Sequence, residues 1–484
     1  NGTSELTYKG DTAYDGEITL ADSSKLNLKG TFEGGKSTIT GKGNVVVDGN
    51  SSLASVDLSD SGKLDIYKDS TLKLTSGESS IAQTSGAGSL YATGTATAEL
   101  GTVSGNLTAV VDSTDNKVNA SSVAEDSSLN AKGTSTFNNA FASVNESAKA
   151  LLETVTVDNG NGYANSIELV EGDVNDGLKA TVDADGKLQN VTKTTNSKIE
   201  GYSNALALAT AQWRHELNSL SKRLGELRSA KDGTGVWARA FGSEYEYGNQ
   251  TLTNNTIQIG SDFSVAEGFK LGGAVSYTDG STSAFNGSAD NDIYSVALYG
   301  TYMAQNGVYV DVVGKYSNIT NDFSFQNFTG SYDNDAYSLS LESGWHLKLN
   351  DTIFVEPQAE FIYGKILGDD FTASNGVKVH QEDTDALILR GGMRAGFYLP
   401  ENKGLIYAKA SVVHDYDSET KFTASKDGNV TSRTNDLGGT WAEYGIGANI
   451  NWSDNCYTYF EIERTSGSDL VENYRWNIGT RYVF

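Results

Sequence analysis

The carboxyl-terminal segment restricts the possible folds of this chain more than any other. It reads Tyr474-Arg475-Trp476-Asn477-Ile478-Gly479-Thr480-Arg481-Tyr482-Val483-Phe484. Side chains alternate across a β-strand, so Tyr474, Trp476, Ile478, Thr480, Tyr482 and Phe484 share one face, and Arg475, Asn477, Gly479 and Arg481 share the other. A strand apolar on one side and polar on the other, ending on an aromatic residue, suits a wall with lipid outside and water inside. The edge of a soluble antiparallel sheet alternates in the same way, so the residues upstream must decide.

Those residues fall into alternating runs joined by two kinds of connection. Short polar turns lie at 266–268, 305–307, 349–351, 400–404 and 453–455. Long connections rich in Gly, Ser, Asn and Asp occupy 278–290, 318–335, 369–383, 417–438 and 465–473, with a shorter one near 248–253. Short and long alternate strictly, as an even-stranded barrel requires when tight turns lie on one side of a membrane and long loops on the other. A soluble sandwich has no reason to sort its loops. The runs predict about twelve transmembrane strands over residues 233–484, with both ends of the barrel on the short-turn side.

Composition agrees. Pro is scarce (2) and Tyr abundant (25) among 484 residues, which suits long ladders with aromatic girdles. The negative mean hydropathy of −0.38 fits a barrel, because only alternate residues face lipid. No apolar run reaches the roughly eighteen residues of a transmembrane helix. The single Cys456 excludes an internal disulfide and a paired-thiol metal site, and no cofactor or metal is expected. A net charge of −26 argues against nucleic-acid phosphates as a partner. No signal peptide follows Asn1, so the chain reads as a mature or truncated one.

Residues 1–200 are different, poor in aromatics and rich in Gly, Ser, Thr, Asn and Asp. A turn phrase recurs as Asp22-Ser23-Ser24-Lys25-Leu26, Asp60-Ser61-Gly62-Lys63-Leu64, Asp69-Ser70-Thr71-Leu72, Asp126-Ser127-Ser128-Leu129 and Asp185-Gly186-Lys187-Leu188. Leu26, Val45 and Leu64 stand at equal intervals, a plausible length for one coil of a parallel β-helix. Such a solenoid is held by contacts between neighbouring coils. A disordered Ser/Gly-rich stalk is the alternative, which the regular alternation over 15–75 disfavours. From 77 to 140 the phasing fades and no coils can be placed.

Between these regions, within 201–232, lies the only segment with strong helical periodicity, about 203–230. Leu206, Trp213, Leu217, Leu220, Leu224 and Leu227 form its stripe. Some 25 residues at 1.5 Å each span about 40 Å, close to a membrane's thickness. A coiled coil outside the membrane is the alternative. The first barrel strand, expected at 236–247, follows almost at once, so the helix is placed as a plug in the lumen.

From about residue 216 onward the chain resembles the autotransporters, the type V secretion proteins, and among them the serine protease autotransporters of enteric bacteria. The resemblance is carried by Glu216-Leu217-Asn218-Ser219-Leu220-Ser221-Lys222-Arg223-Leu224-Gly225-Glu226-Leu227-Arg228, by Trp237-Ala238-Arg239, and by Tyr309 to Tyr316. It continues in Phe354 to Glu360 and in the terminal Arg481-Tyr482-Val483-Phe484. It implies an all-β protein: a passenger β-helix, a linker helix in the pore, and a twelve-stranded antiparallel outer-membrane barrel. The protease passenger is not in this chain, and no protease activity carries over. The resemblance further implies a monomer in outer-membrane lipid, served by periplasmic chaperones and the barrel assembly machinery. Its assembly signal would include Trp476, Ile478, Tyr482 and Phe484.

Some members of that family cut their own passenger loose: an Asn in the pore helix attacks its own backbone carbonyl and forms a cyclic imide. The matching residue is Asn218, with the bond to Ser219 as the cleavage site. The family pattern continues with a second Asn where this chain has Ser219. Assisting acidic groups match Asp311 and Glu360, which strand parity turns inward. A family Arg matches Arg464, whose parity is that of the lipid face, so a local bulge is needed to turn it inward. The resulting expectation is a translocator that exports its own passenger, with single-turnover self-cleavage. The alternative is a surface adhesin or stalk whose barrel is only an anchor. A diffusion porin explains neither the helix nor the repeats.

Overall fold

The computed structural model describes residues 4–160, 162–228, 233–284, 287–325 and 328–484, and the side chains at 12, 208, 209 and 218–228 lie outside that description. Its residues divide into two units, 1–199 with Ser425–Thr431, and the remainder.

In the first unit the strands pair in parallel, each coil lying on the next. Leu26 pairs with Val45, while Lys63 N–H donates to the Gly43 carbonyl (3.4 Å) and Tyr67 N–H to that of Val47 (3.0 Å), which sets Leu64 one coil above Val45. Coils continue through the stretch where the sequence gives no phasing. One inward stack runs Leu53, Leu74, Ala92, Val111, Gly133, Leu169. Another runs Leu58, Ile81, Leu100, Ala120, Val157. The pattern is faint there because Ala92, Ala98, Ala109, Ala120 and Ala131 occupy buried positions that Leu and Val hold in earlier coils. Small side chains fill a narrow solenoid and carry little hydropathy signal.

The end of the solenoid is closed by two elements the sequence reading omits. The helix Val144–Thr154 buries Ala148, Leu151 and Leu152. Its N-cap Ser143 accepts a hydrogen bond from Glu146 N–H at 3.2 Å, so Ser143-x-x-Glu146 is the capping pattern that marks its start. A short helix, Ser135–Asn139, precedes it. Ser166–Leu169, Gly177–Val182 and Leu188–Thr194 then turn the pairing antiparallel.

The second unit contains a closed antiparallel barrel of twelve strands. We number them β1 (Thr234–Tyr247), β2 (Gln250–Ala266), β3 (Phe269–Ala284), β4 (Gly287–Met303), β5 (Val308–Phe325) and β6 (Phe328–Trp345), followed by β7 (Ile353–Ile366), β8 (Thr384–Tyr398), β9 (Gly404–Asp415), β10 (Gly439–Ser453), β11 (Cys456–Ser466) and β12 (Leu470–Val483). Each pairs with the next, and β12 pairs with β1 to close the ring. The short turns fall where expected. Two of the long connections do not: residues 278–290 and 318–335 are mostly ladder, since β3 to β6 continue well into them. Their outward side chains are polar, as at Thr320, Asp322, Ser331 and Asp333, so the alternation imposed by lipid is lost and hydropathy hides the strands. The connections at 369–383 and 417–438 also contain strands, Asp370–Thr372, Lys378–Gln381, Glu419–Lys426 and Asn429–Asp436, joined in one small sheet.

Outward positions carry a continuous apolar belt that includes Ile257, Val275, Leu298, Val312, Leu339, Phe361, Leu389, Val412, Ile446 and Ile462. On β12 the exposed row is Tyr474, Ile478, Tyr482 and the terminal Phe484, with Trp476 partly exposed, while Arg475, Asn477 and Arg481 are buried inside. Among the described residues no helix is long and apolar enough to cross a membrane. This protein crosses with strands.

The linker is one helix, Ser197–Arg228. Its described side chains touch inward residues on strands all around the ring, so it occupies the lumen. That lumen is less polar than parity rules suggest. Ile293, Ile319, Ile362, Ile366, Ile388, Val413 and Trp441 point inward and pack with Trp213 and Leu217 of the helix. Apolar residues on the water-facing parity are the seat of the helix's apolar stripe.

Candidate functional site

Four inward residues lie side by side in one register row of the wall. Asp311 on β5 pairs with Glu342 on β6, Glu342 with Glu360 on β7, and Glu360 with Arg390 on β8. All four are buried in the lumen. Thr301 donates to Asp311 from β4. The Tyr309 hydroxyl donates to Glu342 at 2.9 Å, and Ser340 Oγ donates to Glu360 Oε1 at 2.6 Å. Arg390 Nη1 pairs with Glu360 Oε2, and its Nε lies 3.0 Å from Glu443 on β10. The wall therefore sets three carboxylates beside one guanidinium, each fixed by a neighbour. A carboxylate so placed can accept a proton, and its acid form can return one.

The sequence reading places Asp311 and Glu360 inward, and the structure brings them into one row with a residue between them. It misses Glu342 and Arg390. Parity alone puts Glu342 on the inner face, since Leu339 and Leu341 face out, but its position between the other two depends on cross-strand register. Arg464 is not brought into the row. It is exposed on the outer face and pairs with Tyr444 in an unbroken stretch of register, so no bulge turns it inward. The guanidinium at the row is that of Arg390.

Asn218 and Ser219 lie in the helix, with side chains outside the described residues. Their depth follows from the backbone. Trp213 packs over Gly364 of β7, where a Cβ would overlap the indole. Glu360 lies four positions along β7 toward the short-turn end. At about 3.3 Å per residue and a tilt near 40°, that is about 10 Å along the barrel axis. The helix descends as far in about seven residues, which carries its backbone near 218–220 to the level of Glu360.

Among the described residues no cluster of metal-binding side chains occurs. Comparison with known proteins gives a consistent picture. Residues 236–463 match the family model described as autotransporter beta-domain. The chain is 31% identical over 294 residues to the pertactin autotransporter of Bordetella bronchiseptica, covering 57% of this chain and 32% of that one. It is 26% identical over 332 residues to the serine protease pet autotransporter of Escherichia coli O44:H18, covering 64% and 24%. The chain thus spans a third or less of the length of these relatives. Among solved structures, the beta domain of the Bordetella autotransporter BrkA is 23% identical, covers 52% of this chain and all of its own, and has a TM-score of 0.43. The translocator domain of NalP from Neisseria meningitidis is 16% identical, covers 57% and 98%, and has a TM-score of 0.47.

Proposed function

From the barrel's membership of the autotransporter β-domain family, we propose that this outer-membrane protein exports its own β-helical segment through the pore and then severs the pore helix at Asn218 in a single turnover. The observation that carries this reading is the helix seated in the lumen, whose rise per residue would bring the backbone near 218 to about the depth of the Asp311–Glu342–Glu360–Arg390 row. In the reaction the Asn218 side-chain nitrogen gives up a proton to a carboxylate of the row and bonds to its own carbonyl carbon. The bond to Ser219 breaks as the leaving amine takes a proton from the row. The product is a cyclic imide on the released side and a free amino terminus at Ser219. Ser340 and Arg390 hold Glu360 in place, and Thr301 and Tyr309 do the same for Asp311 and Glu342.

The outward residues Trp476, Ile478, Tyr482 and Phe484 are then the surface read by the assembly machinery and by periplasmic chaperones, and the protein works as a monomer. The test is mass spectrometry of cell-surface and outer-membrane fractions. This reading expects a released fragment ending at Asn218 and a barrel beginning at Ser219. A second reading is favoured by Ser219, which departs from the family's Asn-Asn pattern: an adhesin or stalk whose solenoid stays tethered. A single full-length chain in the membrane supports that reading and overturns the first.

A further inference from the structure

The residues just ahead of Asn218 take no part in that chemistry, yet among the described residues they engage the wall on every side of the helix. Successive helical residues point about 100° apart, so four in a row sweep the whole circumference. Here each finds a different sector of wall. Trp213 fills the gap at Gly364 on β7. Arg214 pairs with Asp415 on β9 and donates to the Leu437 carbonyl at 2.6 Å. His215 hydrogen-bonds Ser243 Oγ on β1 (2.7 Å) and Thr256 Oγ1 on β2 (3.1 Å).

Glu216, 1% exposed, accepts from Thr278 Oγ1 at 2.5 Å, from Ser276 Oγ at 3.2 Å and from Ser295 Oγ at 3.4 Å. Lys315 of β5 pairs with its carboxylate and also donates to its backbone carbonyl at 3.3 Å. A slide of one helical turn, about 5.4 Å, or a rotation of one residue would break every one of these contacts at once.

We propose that Trp213, Arg214, His215 and Glu216 form a register stop that halts the exported chain in the pore, and that Glu216 and Lys315 are positioning residues for cleavage at Asn218. This rests on the reading that Asn218 attacks its own carbonyl. The stop fixes both the depth and the azimuth of the helix, and Asn218, two residues on, inherits both. Lys315 and Asp311 stand on the same face of the same strand, so one rigid element carries the stop and the carboxylate row.

The test uses the full chain in outer membranes, with barrel assembly checked by heat-modifiable migration. Two quantities are followed: the cleavage rate, and amide hydrogen exchange of residues 205–217 in uncut Asn218→Gln protein. Lys315→Met and Glu216→Gln should each slow cleavage at least tenfold and speed exchange in the helix, leaving exchange in the strands unchanged. The charge swap Glu216→Lys with Lys315→Glu should restore much of both. Glu216→Asp, which keeps the charge, should give an intermediate effect and serves if the other variants fail to assemble. An Ala inserted between Glu216 and Leu217 leaves the stop whole but turns the following residues by about 100°, so cleavage should fall while exchange stays normal. Unchanged cleavage in Lys315→Met and Glu216→Gln, or full cleavage in the insertion variant, overturns the positioning role. If the wild-type chain never cuts, the cleavage reading fails and the positioning role with it, and unchanged exchange in the same variants then refutes the stop as well.

Discussion

Closure of the barrel places a testable load on one ion pair. Arg481 of β12 faces inward, crosses β1 above Gly235 and meets Asp262 of β2, with Nε 3.2 Å from Oδ2 and Nη2 on Oδ1. Both side chains are 0% exposed. A Cβ at Gly235 would lie 2.5 Å from the guanidinium, so a larger residue there would push the arginine head aside. Removing one member of such a buried pair costs about 3–5 kcal/mol. Removing both costs much less, because the desolvation penalty disappears together with the attraction. Arg481→Met and Asp262→Leu should each lower barrel stability by about 3 kcal/mol or more, whereas the double variant should fall within about 1 kcal/mol of the parent. Gly235→Ala keeps both charges but crowds the guanidinium, and overpacking of this kind costs about 1–3 kcal/mol. Urea unfolding of protein refolded into vesicles, followed by Trp fluorescence, gives all four values. Single variants that each cost under about 1 kcal/mol, or a double variant equal to their sum, would refute the seam argument.

Other outcomes follow from the same structure. Asp at both Trp476 and Tyr482 puts charge on the lipid face and should abolish surface display, read as loss of solenoid epitopes on intact cells. Leu28→Ala, at a fully buried site in the solenoid, should cost about 2–5 kcal/mol and expose neighbouring coils to limited proteolysis, since each coil is held by the next. Asp173 is opposed by burial, yet hydrogen bonds and charge from Lys198 and Lys426 hold its carboxyl below the ordinary value of 3.8. A depressed folded value means stability that is present above the unfolded pKa and lost as pH falls through the folded one. Exchange protection at residues 172–176 should therefore drop below about pH 4, and Asp173→Asn should flatten that dependence.

What the sequence discloses, and what it conceals, follows from the physics of each element. The barrel is legible because lipid and water impose opposite demands on alternate residues, as in Tyr474 to Phe484, and because turns and loops are sorted by side. The pore helix is legible from Leu206, Trp213 and Leu217. The solenoid can be read only where Leu and Val mark the stacks, and it fades where Ala98, Ala109 and Ala120 do the same work. The upper parts of β3 to β6 read as loops because no lipid bears on them. For the candidate site, parity assigns Asp311 and Glu360 to the lumen, but a face is not a row. The neighbours Glu342 and Arg390 come from strands whose relative register no single strand encodes. Ile293, Ile319 and Ile388 break the expected polar parity, and those breaks mark where the helix packs.

Everything proposed for Asn218 depends on the helix filling the pore. Planar-bilayer conductance of the full chain, beside the same chain lacking residues 200–228, measures that directly. The structure predicts a closed full-length barrel and a persistently conducting deletion variant. Equal conductance from the two proteins would contradict a seated helix.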